Sequence, residues 1–145
     1  MPALEYNHSY PTCEETFSTL RIFSDDAEPD TITKALNIIP TESFLKGASY
    51  GKGLRRKTHG WFYSTQYISD LKDTRYHIDL ILSVLEGKTD VIDKLQHEGC
   101  EFDIVSYWVS RGQGGPELWP NQMIKLGTMG ISVWWDVYFG GKDET

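Results

Sequence analysis

The chain has 145 residues, 39% of them hydrophobic and 13% aromatic, which suits one domain around one core and excludes disorder throughout. Its net charge of −7 repels phosphate backbones at long range, so nucleic acid is an unfavourable partner. The two cysteines, Cys13 and Cys100, have neither metal-binding nor redox spacing. No basic stretch leads into an apolar run at the N-terminus, and no apolar run is long enough to span a bilayer. The expectation is a cytoplasmic protein with free thiols, no cofactor and no membrane contact.

Residues 1–15 are polar and without period, which predicts a tail or a strap over the body. From Thr16 to Phe23 the sequence alternates, with Phe17, Thr19, Arg21 and Phe23 on one side and Ser18, Leu20 and Ile22 on the other, as a strand does. Pro29 suits the first turn of a helix carrying Ile32, Ala35 and Leu36, and Pro40 stops it. Residues 41–46 read as a short edge strand. Residues 47–60 carry four glycines and the basic cluster Lys52, Arg55, Arg56 and Lys57, which predicts a mobile, solvated loop.

Trp61 to Tyr67 alternates again. A helix then begins near Asp73, with Ile78, Ile81, Leu82 and Leu85 on one stripe, and Gly87 ends it. A second short helix buries Val91, Ile92 and Leu95, and Gly99 closes it. Glu101 to Arg111 is apolar on both faces, which predicts a central or covered strand. Pro120 opens a helix with Met123, Ile124 and Leu126. In the strand from Ile131 to Phe139, Val133, Trp135, Val137 and Phe139 are expected inward and Trp134, Asp136 and Tyr138 outward. Residues 140–145 form a polar tail.

The predicted order is β-α-β-β-α-α-β-α-β, one α+β domain over residues 16–139. The beginning follows the split arrangement of ferredoxin-like folds, with an antiparallel or mixed sheet and helices mainly on one face. Four of the five tryptophans fall between Glu101 and Phe139, so the core is expected there. The strands at its two ends are expected side by side.

Several short motifs occur in series: Ser24-Asp25-Asp26 followed by Pro29 and Ile32, Pro40-Thr41 with Lys46-Gly47, Gly60-Trp61, Gly112-Gln113-Gly114-Gly115-Pro116 with Leu118, and Asp136 with Tyr138. Over roughly Thr16 to Phe139 this pattern resembles the bacterial family catalogued as domain of unknown function 4279. His59 and Trp119 depart from it, the latter where a small helix cap is expected. The resemblance implies a single α+β domain in a bacterial cytoplasm and no particular reaction.

The residues themselves offer few catalytic patterns. The Gly112–Gly115 turn fits no phosphate-loop spacing, and no HExxH or GxSxG occurs. His77 and His97 read as surface residues on helices, and Cys100 as a small buried apolar residue. Two readings compete. In the first, Trp134, Tyr138 and Tyr107 pave an open sheet face, and the protein is a non-enzymatic binding module that docks a basic partner, as toxin-neutralising immunity proteins do, or a further copy of itself. In the second, Arg111 and Gln113 at the glycine turn converge with Asp25, Asp26, Glu117 and Asp136 on a small anionic ligand or an enzymatic site. Single-stranded RNA on the aromatic face is a weaker third reading, which the charge opposes.

Overall fold

Strict alternation over Phe17 to Phe23 decides which side of the molecule is filled. Leu20 and Ile22 are fully buried, and Phe17, Thr19, Arg21 and Phe23 are half-buried on the other side. The computed structural model describes residues 5–140. The elements are β1 (Cys13–Ser24), α1 (Pro29–Leu36), β2 (Glu42–Phe44), β3 (His59–Ser64), α2 (Thr74–Val84), α3 (Thr89–His97), β4 (Glu101–Ser110), α4 (Pro120–Met129) and β5 (Ser132–Phe139). This is the order that the sequence predicts.

The five strands form one sheet in the order β2-β3-β1-β4-β5. β1 runs antiparallel to β3 and to β4, and β2 runs antiparallel to β3. β3 therefore lies between the two strands that α1 connects. β5 runs parallel to β4, as expected when a helical crossover such as α4 returns the chain to the start of its neighbour. The two strands that flank the glycine turn do lie side by side. The fold is α+β with a mixed, open sheet.

One apolar cluster holds the layers together. Leu20 and Ile22 of β1, Trp61 of β3 and Ile104 of β4 meet Ile32 and Leu36 of α1, Ile78 and Ile81 of α2, Ile92 of α3 and Leu126 of α4. Every helix contributes to this cluster, so the helices cover one sheet face and leave the other. Helix ends follow local chemistry. Asn37 takes a left-handed conformation at φ 57° and ends α1, three residues before Pro40. The Asp73 side chain accepts the Arg75 N–H and caps α2. At α4 the capping is one-sided: Gln122 Oε1 accepts the Trp119 N–H at 2.9 Å, but an indole has no acceptor to offer in return.

Several expectations are corrected. Of the four tryptophans after Glu101 only Trp108 is fully buried, and the core centres on β1, β3, β4 and α2 instead. Val137 and Phe139 are 46% and 83% exposed, although alternation turns them toward the helices. Alternation fixes the side a residue faces, not whether anything covers it, and the apolar cluster reaches along β5 only as far as Val133.

His77 is fully buried rather than on the surface. β3 ends at Ser64, short of the expected Tyr67, and just beyond it the Thr65 hydroxyl is held between the Ser18 N–H and His77. The expected loop over residues 47–60 is a small hairpin: Gly47 and Arg56 N–H groups donate to Arg56 and Ala48 carbonyls, and Ser49 bridges Arg55. β1 begins at Cys13, and residues 6–10 lie on the helix layer as a strap. Of the C-terminal tail expected over residues 140–145, Gly140 donates its N–H to the Ser110 carbonyl, and residues 141–145 lie outside the described residues.

Candidate functional site

The pleat of β1 turns Phe17, Thr19, Arg21 and Phe23 away from the helices. The register then sets their neighbours on that face. Tyr107 lies opposite Phe17, Val105 opposite Thr19 and Phe62 opposite Arg21. On β5, Trp134 lies beside Val105 and Asp136 beside Tyr107. These side chains are all half-buried or exposed. A trough of about 520 Å³ runs over Phe17, Thr19, Arg21, Phe62 and Val105, with Glu42, Gln66 and Tyr67 at its rim.

Two aromatic rows cross the strands. Phe17 stacks on Tyr107 with ring centres 4.9 Å apart, and Tyr138 follows at 5.2 Å. Phe23, Phe62 and Phe44 form the second row with successive ring centres 5.6 Å apart. Arg21 joins the rows. Its guanidinium lies 5.1 Å from the Phe23 ring and 5.5 Å from that of Trp134. Asp103 fixes it with two hydrogen bonds, accepting from Nε at 2.8 Å and from Nη2 at 2.7 Å. At the far edge Arg56 lies 3.9 Å over Phe44 and 4.1 Å from Tyr50. The basic cluster therefore contributes one arginine to the aromatic band instead of remaining wholly solvated. Each such aromatic pair stabilises its geometry by about 0.5–1.5 kcal/mol, so the rings are held before anything binds.

The charge on this face is unbalanced. Glu15, Glu42, Glu101, Asp103 and Asp136 share it with Arg21 and, at the edge, Arg56. Tyr138 donates to Asp136 Oδ2 at 3.1 Å. That bond and the charge of Asp136 hold the phenol proton and raise the Tyr138 pKa above its ordinary value.

Trp134, Tyr138, Tyr107 and Asp136 thus share one surface. Arg111 and Gln113 do not. Both are exposed beyond the end of β4, where Arg111 makes a 3.4 Å contact with Glu14. Asp25 and Asp26 follow Ser24, at the end of β1 that adjoins Glu101, where β4 begins. The length of β4, about 30 Å for ten extended residues, separates them from Arg111. Antiparallel pairing puts the end of one strand beside the start of the other, so the six-residue anionic site expected from the sequence is not assembled.

Sequence reasoning missed a polar cluster on the helix side. Asp73 is fully buried and accepts from Arg75 and from the Asn7 N–H. Burial pushes its carboxyl up most strongly, but the bonds from Arg75 and Asn7 and the positive charge of Arg75 outweigh that and leave its pKa lowered. The same paired bond raises the pKa of Arg75, which lies 4.7 Å from the Trp119 ring. The His77 pKa is lowered, mainly by burial. Its neutral ring donates from Nε2 to the Leu71 carbonyl at 2.7 Å and accepts at Nδ1 from the Thr65 hydroxyl at 2.6 Å. The strap closes this cluster: Tyr6 donates to Asp79 Oδ2 at 2.5 Å, and Tyr10 to the Gly115 carbonyl at 3.0 Å. The sequence places the start of a helix near Asp73, but the partner Asn7 is 66 residues away. Among the described residues no group of three or more His, Cys, Asp or Glu side chains could hold a metal ion.

The family model described as Domain of unknown function (DUF4279) matches residues 14–140. The chain belongs to the DUF4279 family. No curated protein and no solved structure matches this DUF4279 chain. The matched residues take in all of β1 except Cys13 and extend past β5, so the aromatic face lies inside the DUF4279 domain and the strap lies outside it. Among the described residues no helix is long and apolar enough to cross a membrane.

Proposed function

We propose that this DUF4279 protein is a non-enzymatic cytoplasmic binding module that docks a basic protein through the open sheet face, in the manner of a toxin-neutralising immunity protein. One observation carries this reading: two rows of pre-positioned rings lie on a face that the helices leave uncovered, with five carboxylates against two guanidiniums. Rings held by their neighbours lose little freedom on binding, and the acids steer a basic partner to them. The same excess of carboxylates disfavours an RNA backbone. The buried titratable groups Asp73, Arg75 and His77 are matched by internal partners on the other side of the sheet, which supports a structural role for them.

The test compares wild type with Trp134→Ala, Tyr107→Ala and Phe62→Ala as baits against the native proteome. A basic partner held by wild type and lost from all three variants, with retention weakening as salt rises, is the expected result. A partner retained by the three variants alike overturns the reading.

A further inference from the structure

The two edges of the sheet are treated differently. β2 is three residues long, Lys46 follows two residues beyond its end, and Arg55 donates to the Gly47 carbonyl in the hairpin that comes next. Short length and positive charge are ordinary ways of blunting an edge. β5 has neither protection. It runs for eight residues without Pro, Gly, Lys or Arg. Trp134, Val137, Tyr138 and Phe139 are 44%, 46%, 50% and 83% exposed. Among the described residues only β4 bonds to its main chain, so its outer row of N–H and C=O groups has no partner there.

The two sides of this edge differ chemically. On the open face Asp136 stands between Trp134 and Tyr138. On the helix side Val137 and Phe139 continue from Trp135, whose buried Nε1–H has no hydrogen-bond partner among the described residues. A strand laid here would pair with the main chain, meet a carboxylate and rings on one side, and meet apolar surface on the other.

We propose that β5 takes an extended segment of the basic partner as a sixth strand. Basic residues of the segment alternate with apolar ones: the basic residues meet Asp136 and its flanking rings, and the apolar residues cover Trp135, Val137 and Phe139. This inference rests on the docking reading above and adds the way in which the partner's chain is held. Charge favours such a segment over a second copy, which brings its own Asp136 and a further charge of −7 to the same edge.

The probe is a capped octapeptide of alternating Lys and Val, added to the 145-residue chain labelled with nitrogen-15. Amide exchange within 132–139 is expected to slow about tenfold or more. A Glu-Val octapeptide should leave it unchanged, and Val137→Lys or Phe139→Lys should abolish the protection. Phe139 is mostly exposed, so its variant keeps the fold while changing the edge. Peptide-induced shifts at Phe17, Phe62 and Tyr107 without protection of 132–139 would overturn strand addition and leave the docking face intact. Absence of both would overturn both readings. Sedimentation of the protein alone as a dimer that Phe139→Lys dissociates would overturn the proposal in favour of a second copy.

Discussion

Asp73 and Arg75 form a paired hydrogen bond, Nε to Oδ1 at 2.9 Å and Nη2 to Oδ2 at 2.8 Å, and the same carboxylate fastens the strap through the Asn7 N–H at 2.7 Å. One buried side chain therefore caps a helix, neutralises a guanidinium and anchors a segment far away in the chain. Removing it leaves Arg75, 9% exposed, without its main counter-charge. Asp73→Ala is expected to destabilise the protein by about 3–5 kcal/mol. The pair between Arg21 and Asp103 is a built-in contrast, with both side chains about a quarter exposed. Asp103→Ala should cost about 1 kcal/mol or less. Urea unfolding of the two variants measures the difference, and equal midpoints would show that the Asp73 bonds do not carry the strap.

The lowered pKa of His77 makes stability depend on pH. The unfolded chain takes up a proton near pH 6.5, and the folded chain resists it until lower pH. The stabilisation is thus complete above about pH 6.5 and is lost as pH falls toward the folded value. Asp73, also lowered, acts in the same direction in a separate window below about pH 4. Denaturation midpoints measured from pH 7.5 to 5 should fall for wild type. His77→Gln, less stable at neutral pH, should show a flatter profile over that interval. A parallel decline in both proteins would assign the slope to other groups.

Much of this was legible where a period repeats without interruption. In β1 the alternation of Phe17, Thr19, Arg21 and Phe23 against Leu20 and Ile22 gives both faces correctly, because one face is strongly apolar and a one-residue slip would bury Arg21. The aromatic make-up of that face follows from the same pattern together with Tyr107 and Trp134, but its being uncovered does not, because alternation reports the side a residue faces and not what packs over it. The buried cluster was not legible. His77 looks like a solvated helix residue until Thr65 and the Leu71 carbonyl, neither on its helix, enclose it. Tyr6 and Tyr10 have no period to place them, because the strap has no regular structure. Periodicity reports orientation within an element, and the closing partners of these groups come from elsewhere in the chain.

Both cysteines are buried and unpaired. Burial raises the Cys13 thiol to about 11 and moves that of Cys100 upward too. At pH 7 Cys13 is therefore about one part in ten thousand thiolate, and the thiolate is the reactive form. In native protein both thiols should react with an aromatic disulfide reagent only as fast as the protein opens, and both should react at once in urea. Prompt modification of one thiol in native protein would place it on an accessible surface.

Gly60 sits under the ring of Phe44, its cross-strand partner. A Cβ at this position would overlap the ring, so Gly60→Ala must push Phe44 away from the sheet. That ring also contacts Phe62 and lies beneath Arg56, so displacement disturbs the second aromatic row and the hairpin together. Overpacking of this kind costs about 1–3 kcal/mol. The Arg56 contact, worth about 0.5–1 kcal/mol at an exposed site, would be lost within that figure. Gly112→Ala is the control: nothing lies within 4 Å of its added Cβ, and its φ is not in the left-handed region. Gly60→Ala should therefore lower the urea midpoint and speed tryptic cleavage at Arg55, Arg56 and Lys57, while Gly112→Ala changes neither. If cleavage stays slow in Gly60→Ala, Phe44 does not hold the hairpin and Arg56 reaches the aromatic band by another contact.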